Sequence, residues 1–103
     1  MAYENGALDA TLAAAAGDDP ALLTELRTAF ADSLAQQVDL LRRSRCDGNW
    51  NMAAMRVKGL AASFDAEGLI GLAEEALEAA PGEPVVIRKL ERFLTDFNLS
   101  AAG

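Results

Sequence analysis

The sequence predicts an all-α protein, an antiparallel up-down four-helix bundle with a short additional N-terminal helix, forming a single domain over residues 1–103. Two observations support this fold class. Hydrophobic residues make up 51% of the chain but aromatic residues only 6%. Alanine and leucine dominate the composition, and both residues favour helices. Prolines and glycines divide the chain into segments whose apolar residues recur at a helical period. Tight turns between such segments favour antiparallel neighbours.

Two helices are predicted in the first half of the chain. The first covers about residues 5–16, with Asn5 as its cap and Gly17 as a left-handed stop. The second starts at Asp19-Pro20, an N-cap followed by proline at the first helical position. Arginines near its end complement the helix dipole, and an Asp47-Gly48 turn is expected after it. Its apolar stripe is Leu23, Leu26, Phe30, Leu34, Val38 and Leu41.

Three more helices are predicted in the second half. The third covers about residues 49–64, and the fourth about residues 66–80, with Asp65 as its cap. Pro81-Gly82 breaks the chain, and Pro84 starts the fifth helix. The fourth helix turns Leu69, Leu72, Ala73 and Ala76 inward, and Glu74, Glu75 and Glu78 to water; the fifth buries Val86, Ile87, Leu90, Phe93, Leu94 and Phe97.

Composition restricts the possible functions. The net charge of −7 repels phosphate backbones and anionic lipids, so we expect neither a nucleic-acid nor a membrane partner. Because histidine is absent, cysteine is single and the carboxylates are dispersed, we expect no metal site, no cofactor, no catalytic residue and no enzymatic activity. Residues 1–6 lack the pattern of a secretory signal, and a lone cysteine (Cys46) suits a reducing compartment. We therefore expect a cytoplasmic protein.

The third predicted helix has two apolar faces. Its core face is Trp50, Ala53, Ala54, Val57, Leu60, Ala61 and Phe64, and its opposite face is Met52, Met55, Gly59 and Ala62, flanked by Arg56 and Lys58. Either the helix is central and buried on both sides, or the second face docks another protein. Glycine inside a helix destabilises it by about 0.5–1 kcal/mol relative to alanine. Gly59 therefore indicates a position that another group must approach closely.

The segment 55–64, Met-Arg-Val-Lys-Gly-Leu-Ala-Ala-Ser-Phe, resembles the signature of histidine phosphotransfer (HPt) domains. That signature reads approximately His-x-Leu-Lys-Gly-x-x-x-x-hydrophobic, usually with alanine before the histidine. The resemblance extends over nearly the whole chain, through the Gly17-Asp-Asp-Pro20 entry to a long helix, the tight turn before the third helix and the helix after the motif. The residues that match the motif in register are Ala54, Val57, Lys58, Gly59 and Phe64.

The sequence departs from the family at its central residue. Met55 occupies the position of the histidine that accepts the phosphoryl group, and a thioether cannot form a phosphoramidate. In the family, the residue at Lys58 helps to hold that group, and the glycine at Gly59 leaves room for the partner. Asp65 is a second departure, because the family commonly has glycine near it. The resemblance therefore implies a docking surface that has lost its chemistry.

We accordingly expect a non-phosphorylatable HPt-like protein of a phosphorelay. It would bind a response-regulator receiver domain or a hybrid histidine kinase as an adaptor, competitor or sequestering factor. The alternative is a self-associating structural bundle, a homodimer formed through Met52 and Met55. Phosphotransfer through another nucleophile is disfavoured, since no suitable side chain replaces Met55. The predicted partner-binding residues are Met52, Met55, Arg56, Lys58, Gly59 and Ala62.

Overall fold

The computed structural model describes residues 5–102, which form five α-helices and, within that range, no β-strand. The all-helical prediction is confirmed. The connections between the helices are short, at 17–19, 44–46, 64–66 and 79–83. The helices are α1 (Gly6–Ala16), α2 (Pro20–Arg43), α3 (Asp47–Ser63), α4 (Glu67–Glu78) and α5 (Pro84–Ala102).

The helices share one hydrophobic core. Helix α2 packs against α1, α3 and α5, and α4 packs against α3 and α5. Phe30 lies at the centre, with its ring 5.3 Å from that of Phe64 and 5.1 Å from that of Phe97. Trp50 is fully buried, and its Nε1 donates a hydrogen bond of 2.7 Å to the carbonyl of Ala76. This bond joins the start of α3 to the end of α4 and holds α3 in a fixed orientation relative to α4.

Proline starts α2 and α5, as predicted. Asp19 is the N-cap of α2, and its Oδ1 accepts hydrogen bonds from the backbone N–H groups of Ala21 (3.0 Å) and Leu22 (3.2 Å). Pro20 follows at the first helical position, where a missing N–H costs nothing. Pro84 begins α5. These boundaries depend on local chemistry alone, which explains why the sequence predicts them correctly.

The predicted turn at Asp47-Gly48 is wrong, because these residues form the first turn of α3. Helix α2 ends at Arg43. Ser44 is its C-cap, and the Ser44 N–H donates to the carbonyl of Leu41 while its extended backbone redirects the chain. Cys46 is the N-cap of α3 but makes no side-chain capping bond. The aspartate suits the first helical turn because its charge complements the positive end of the helix dipole.

The predicted role of Asp65 as the cap of α4 is wrong, because the N-cap of α4 is Ala66. Asp65 has φ 56° and follows the last turn of α3, with its N–H donating to the carbonyl of Ala62. The N–H of Ala66 donates across it to the carbonyl of Ala61 at 2.8 Å, which completes a Schellman motif. The Asp65 carboxylate accepts a hydrogen bond from Thr11 Oγ1 at 2.9 Å. Asp65 thus ends α3 and connects it to α1, in a conformation that favours glycine.

The ends of α1 follow the prediction in position but not in detail. Asn5 is its N-cap, yet the Asn5 side chain makes no capping hydrogen bond. Gly17 stops the helix with φ 64° and ψ −132°, a conformation open to glycine but different from the left-handed helical one. The N–H of Gly17 donates to the carbonyl of Ala13.

Candidate protein-docking surface

The inner face of α3 is fixed by packing. Leu60 and Phe64 are half-buried against the core, and the remaining five residues predicted for this face are buried: Trp50, Ala53, Ala54, Val57 and Ala61. Alanines on this face let α3 approach its neighbours closely, and α3 packs against both α2 and α4. The side chains on its opposite side are therefore presented on a rigid support.

The outer face of α3 is open. Met52 is 52% exposed and Met55 is 55% exposed, so the interpretation of α3 as a helix buried on both sides is wrong. Gly59 and Ala62 are also exposed, and Arg56 lies beside them. Lys58, at the edge toward α4, is half-exposed. The structure thus brings all six predicted partner-binding residues to one accessible surface, here called the methionine face: Met52, Met55, Arg56, Lys58, Gly59 and Ala62.

Gly59 has no packing reason to be glycine. A Cβ atom built at this position meets no other atom within 4 Å, and the residue lies in the interior of α3. A glycine there costs roughly 0.5–1 kcal/mol relative to alanine, and nothing in the described chain compensates for that cost. It leaves a shallow depression on the surface one turn after Met55.

The two basic residues of the methionine face differ in their surroundings. Lys58 Nζ lies 3.4 Å from Glu74 Oε2 on α4, an exposed ion pair worth at most about 1 kcal/mol. Arg56 is exposed and forms no ion pair with any residue between 5 and 102. The positive charge of Arg56 is therefore not neutralised by any described residue.

A groove of about 300 Å³ continues the methionine face toward the end of α2. Sequence reasoning missed it, since it forms only where α2 and α3 meet. The sequence signal for it is the run of arginines at the end of α2, which also complements the helix dipole. The groove is lined by Leu40, Arg43 and Ser44 of α2 and by Asn49, Met52, Ala53 and Arg56 of α3.

Charges on α2 flank this groove. Asp39 binds both Arg42 and Arg43, the latter through a hydrogen bond of 2.9 Å from Arg43 Nε. Hydrogen bonding from Arg42, assisted by the charge of Arg43, holds the pKa of the Asp39 carboxyl below its usual value. Arg43 uses only its Nε in this contact, so its terminal nitrogens remain available to another acceptor.

Two side chains at the methionine face, Met55 and Ser63, have limited hydrogen-bonding capacity. The Met55 thioether is a weak acceptor without a proton to donate, and Ser63 Oγ, one turn beyond Gly59, is engaged with the Gly59 carbonyl at 2.9 Å. Among residues 5–102, no group of three acidic, histidine or cysteine side chains is placed to hold a metal ion. Over the same residues, every helix is too short or too polar to cross a bilayer.

Comparisons with known proteins give no match. Neither a family model nor a curated protein nor a solved structure matches this chain significantly. The resemblance to HPt domains remains a prediction based on the motif and the helix order.

Proposed function

We propose that this chain is a non-phosphorylatable, HPt-like docking protein of a phosphorelay. It binds a response-regulator receiver domain or a hybrid histidine kinase through the methionine face. In this proposal α2 to α5 form an antiparallel up-down four-helix bundle, to which α1 is added. The contacts of α2 with α3, α3 with α4, α4 with α5 and α5 with α2 support that arrangement.

The observation that carries the proposal is the exposure of Met52 and Met55 on a helix whose other face is locked in the core. Fully burying a methionine stabilises a protein by about 1.5–3 kcal/mol, so covering these half-exposed side chains contributes roughly 1 kcal/mol each. Methionine is flexible and polarisable, and it adapts to the surface that it meets. Such a pair favours association with another protein.

Methionine at position 55 changes the outcome of docking. A receiver domain that docks on an HPt histidine exchanges a phosphoryl group with it, whereas Met55 offers no nucleophile. In the proposed function the complex forms without reaction, and its lifetime depends on binding alone. The protein therefore acts as an adaptor, as a competitor of a true phosphotransfer protein, or by sequestering the regulator.

The proposal is tested by measuring the affinity of the protein for each receiver domain of the same organism by isothermal titration calorimetry. At least one receiver domain is expected to bind, and Met55→Asp is expected to weaken that binding at least about tenfold, because a carboxylate is then desolvated in an apolar interface. Val85→Asp on α5 is the matched control, since Val85 is another exposed apolar residue, at 44%. Unchanged affinity of Met55→Asp would contradict the assignment of this face.

The alternative function, a homodimer through Met52 and Met55, is favoured by the same exposed pair. Sedimentation velocity over a range of concentrations separates the two. A stable dimer that Met52→Asp converts to a monomer, together with no binding to any receiver domain, would replace the docking proposal with self-association.

A further inference from the structure

The groove beside the methionine face combines an apolar floor with basic walls. Ala53 is buried and Leu40 half-buried at its base, and Arg43 and Arg56 approach it from opposite helices. Met52 and Arg56 belong to both the groove and the methionine face, so the two form one continuous surface. A partner that covers Met55 therefore extends naturally into the groove.

The charge of this region is opposite to that of the whole chain. The protein carries 16 acidic and 9 basic residues. Five of those 9 lie at the end of α2 or just after it, or on α3: Arg42, Arg43, Arg45, Arg56 and Lys58. Asp39 engages Arg42 and Arg43, and Glu74 engages Lys58, whereas Arg56 and Arg45 form no ion pair with any described residue. Between residues 39 and 63 the acidic residues are Asp39 and Asp47, so five basic against two acidic residues give this stretch a net charge of +3 in an acidic protein.

We propose that the groove binds an acidic segment of the partner protein, whose carboxylates pair with Arg43 and Arg56 while an apolar side chain packs on Met52 and the half-buried Leu40. This inference rests on the proposed function and defines the chemistry of its partner. The planar guanidinium group binds carboxylates through two parallel hydrogen bonds, and the arginines on the two walls allow carboxylates on either side of the apolar anchor. The acidic parts of the surface repel such a segment, so the basic residues of α5, Arg88, Lys89 and Arg92, are the competing region that the test must separate from the groove.

The first test uses two synthetic helical peptides of equal length with the same leucine stripe, one with glutamate and one with lysine at its polar positions. Each is titrated into the ¹⁵N-labelled full chain. The glutamate peptide is expected to shift the amide signals of Asn49, Met52 and Arg56, and the lysine peptide is not. Equal shifts with both peptides, or glutamate-peptide shifts confined to Arg88 and Arg92 on α5, would overturn the inference.

The second test uses the receiver domain that binds in the calorimetric experiment. Arg56→Gln is expected to weaken binding about tenfold and to reduce its dependence on salt, since an ion pair is lost. Arg92→Gln is the matched control, because Arg92 is also exposed and forms no ion pair with a described residue. Loss of binding with Met55→Asp but not with Arg56→Gln would refute the acidic-segment inference and leave the proposed function standing. Selective binding of the glutamate peptide, together with no binding to any receiver domain, would support the acidic-segment inference and refute the proposed function.

Discussion

The two faces of α3 lie on the same helix but have opposite relations to the rest of the molecule. Trp50 is fully buried and donates a hydrogen bond to α4, whereas Met52, two residues later, is 52% exposed. The inner face determines how α3 packs, and the outer face contributes little to the fold. The proposed docking function gives this exposed apolar face a role outside the domain.

The glycines show the same contrast. Gly17 ends α1 with φ 64°, a conformation that other residues rarely adopt, so the fold requires glycine there. Gly59 lies inside α3 with open space around its Cα, so the fold would accept a larger residue. Gly68 and Gly71 in α4 have the same open space, so the contrast shows only that the fold requires glycine at position 17 and does not require it at position 59.

The largest expected effect comes from the inner face. Trp50→Ala is expected to lower the free energy of unfolding by about 3–5 kcal/mol, because it leaves a cavity in the core and removes the hydrogen bond to Ala76. Met52→Ala, on the outer face of the same helix, is expected to change it by less than about 0.5 kcal/mol. Urea denaturation measures both. A cost for Met52→Ala approaching that of Trp50→Ala would contradict the division of α3 into two faces.

A smaller effect of opposite sign is expected at Gly59. Gly59→Ala is expected to raise the free energy of unfolding by about 0.4–1 kcal/mol, because it restricts the unfolded chain and its Cβ meets nothing in the fold. Gly17→Ala is the control, and it is expected to destabilise, since alanine is strained at φ 64°. Thermal unfolding shows whether each substitution raises or lowers the stability of the protein. Destabilisation by Gly59→Ala would mean that α3 needs this glycine for its own packing.

The smallest effect concerns the charges beside the groove. Because the arginines lower the folded-state pKa of Asp39, its carboxylate stabilises the fold above its unfolded pKa of about 3.8, and this contribution is lost as the pH falls through the lower folded-state value. Asp39→Asn is therefore expected to be slightly less stable than wild type at neutral pH and to approach it in acid, as the pH falls below the folded-state pKa of Asp39. Denaturation at both pH values tests this; a difference that persists in acid would come from something other than the ionised carboxylate.

Much of the fold follows from local signals in the sequence. Asp19-Pro20 and Pro84 predict helix starts because capping and the fixed φ of proline act within a few residues. The methionine face is also predictable, since a second apolar stripe on a helix appears as a period in the sequence. That stripe alone does not say whether the face is covered, and only the packing of α2 and α4 shows that it is open.

Other features depend on contacts between distant residues. Asp65 resembles a helix cap in sequence, yet the Schellman motif and the hydrogen bond from Thr11, which is distant in sequence, give it another role. The start of α3 at Asp47 depends on how Ser44 closes α2. The groove needs Arg43 and Arg56 to face each other across two helices, and neither residue alone indicates it.

The proposed function requires that α3 keeps the docking surface of a phosphotransfer domain without its nucleophile, and the substitution Met55→His tests this requirement. The variant is incubated with phosphorylated receiver domains of the same organism, beside wild type and Met52→His, which places the imidazole at a similarly exposed position one turn earlier. Acid-labile phosphate on Met55→His alone is the predicted result, because position 55 is the one that the resemblance to HPt domains aligns with the phosphorylated histidine, ahead of Lys58 and Gly59. Label on wild type, equal label on Met52→His, or none on Met55→His would contradict this requirement.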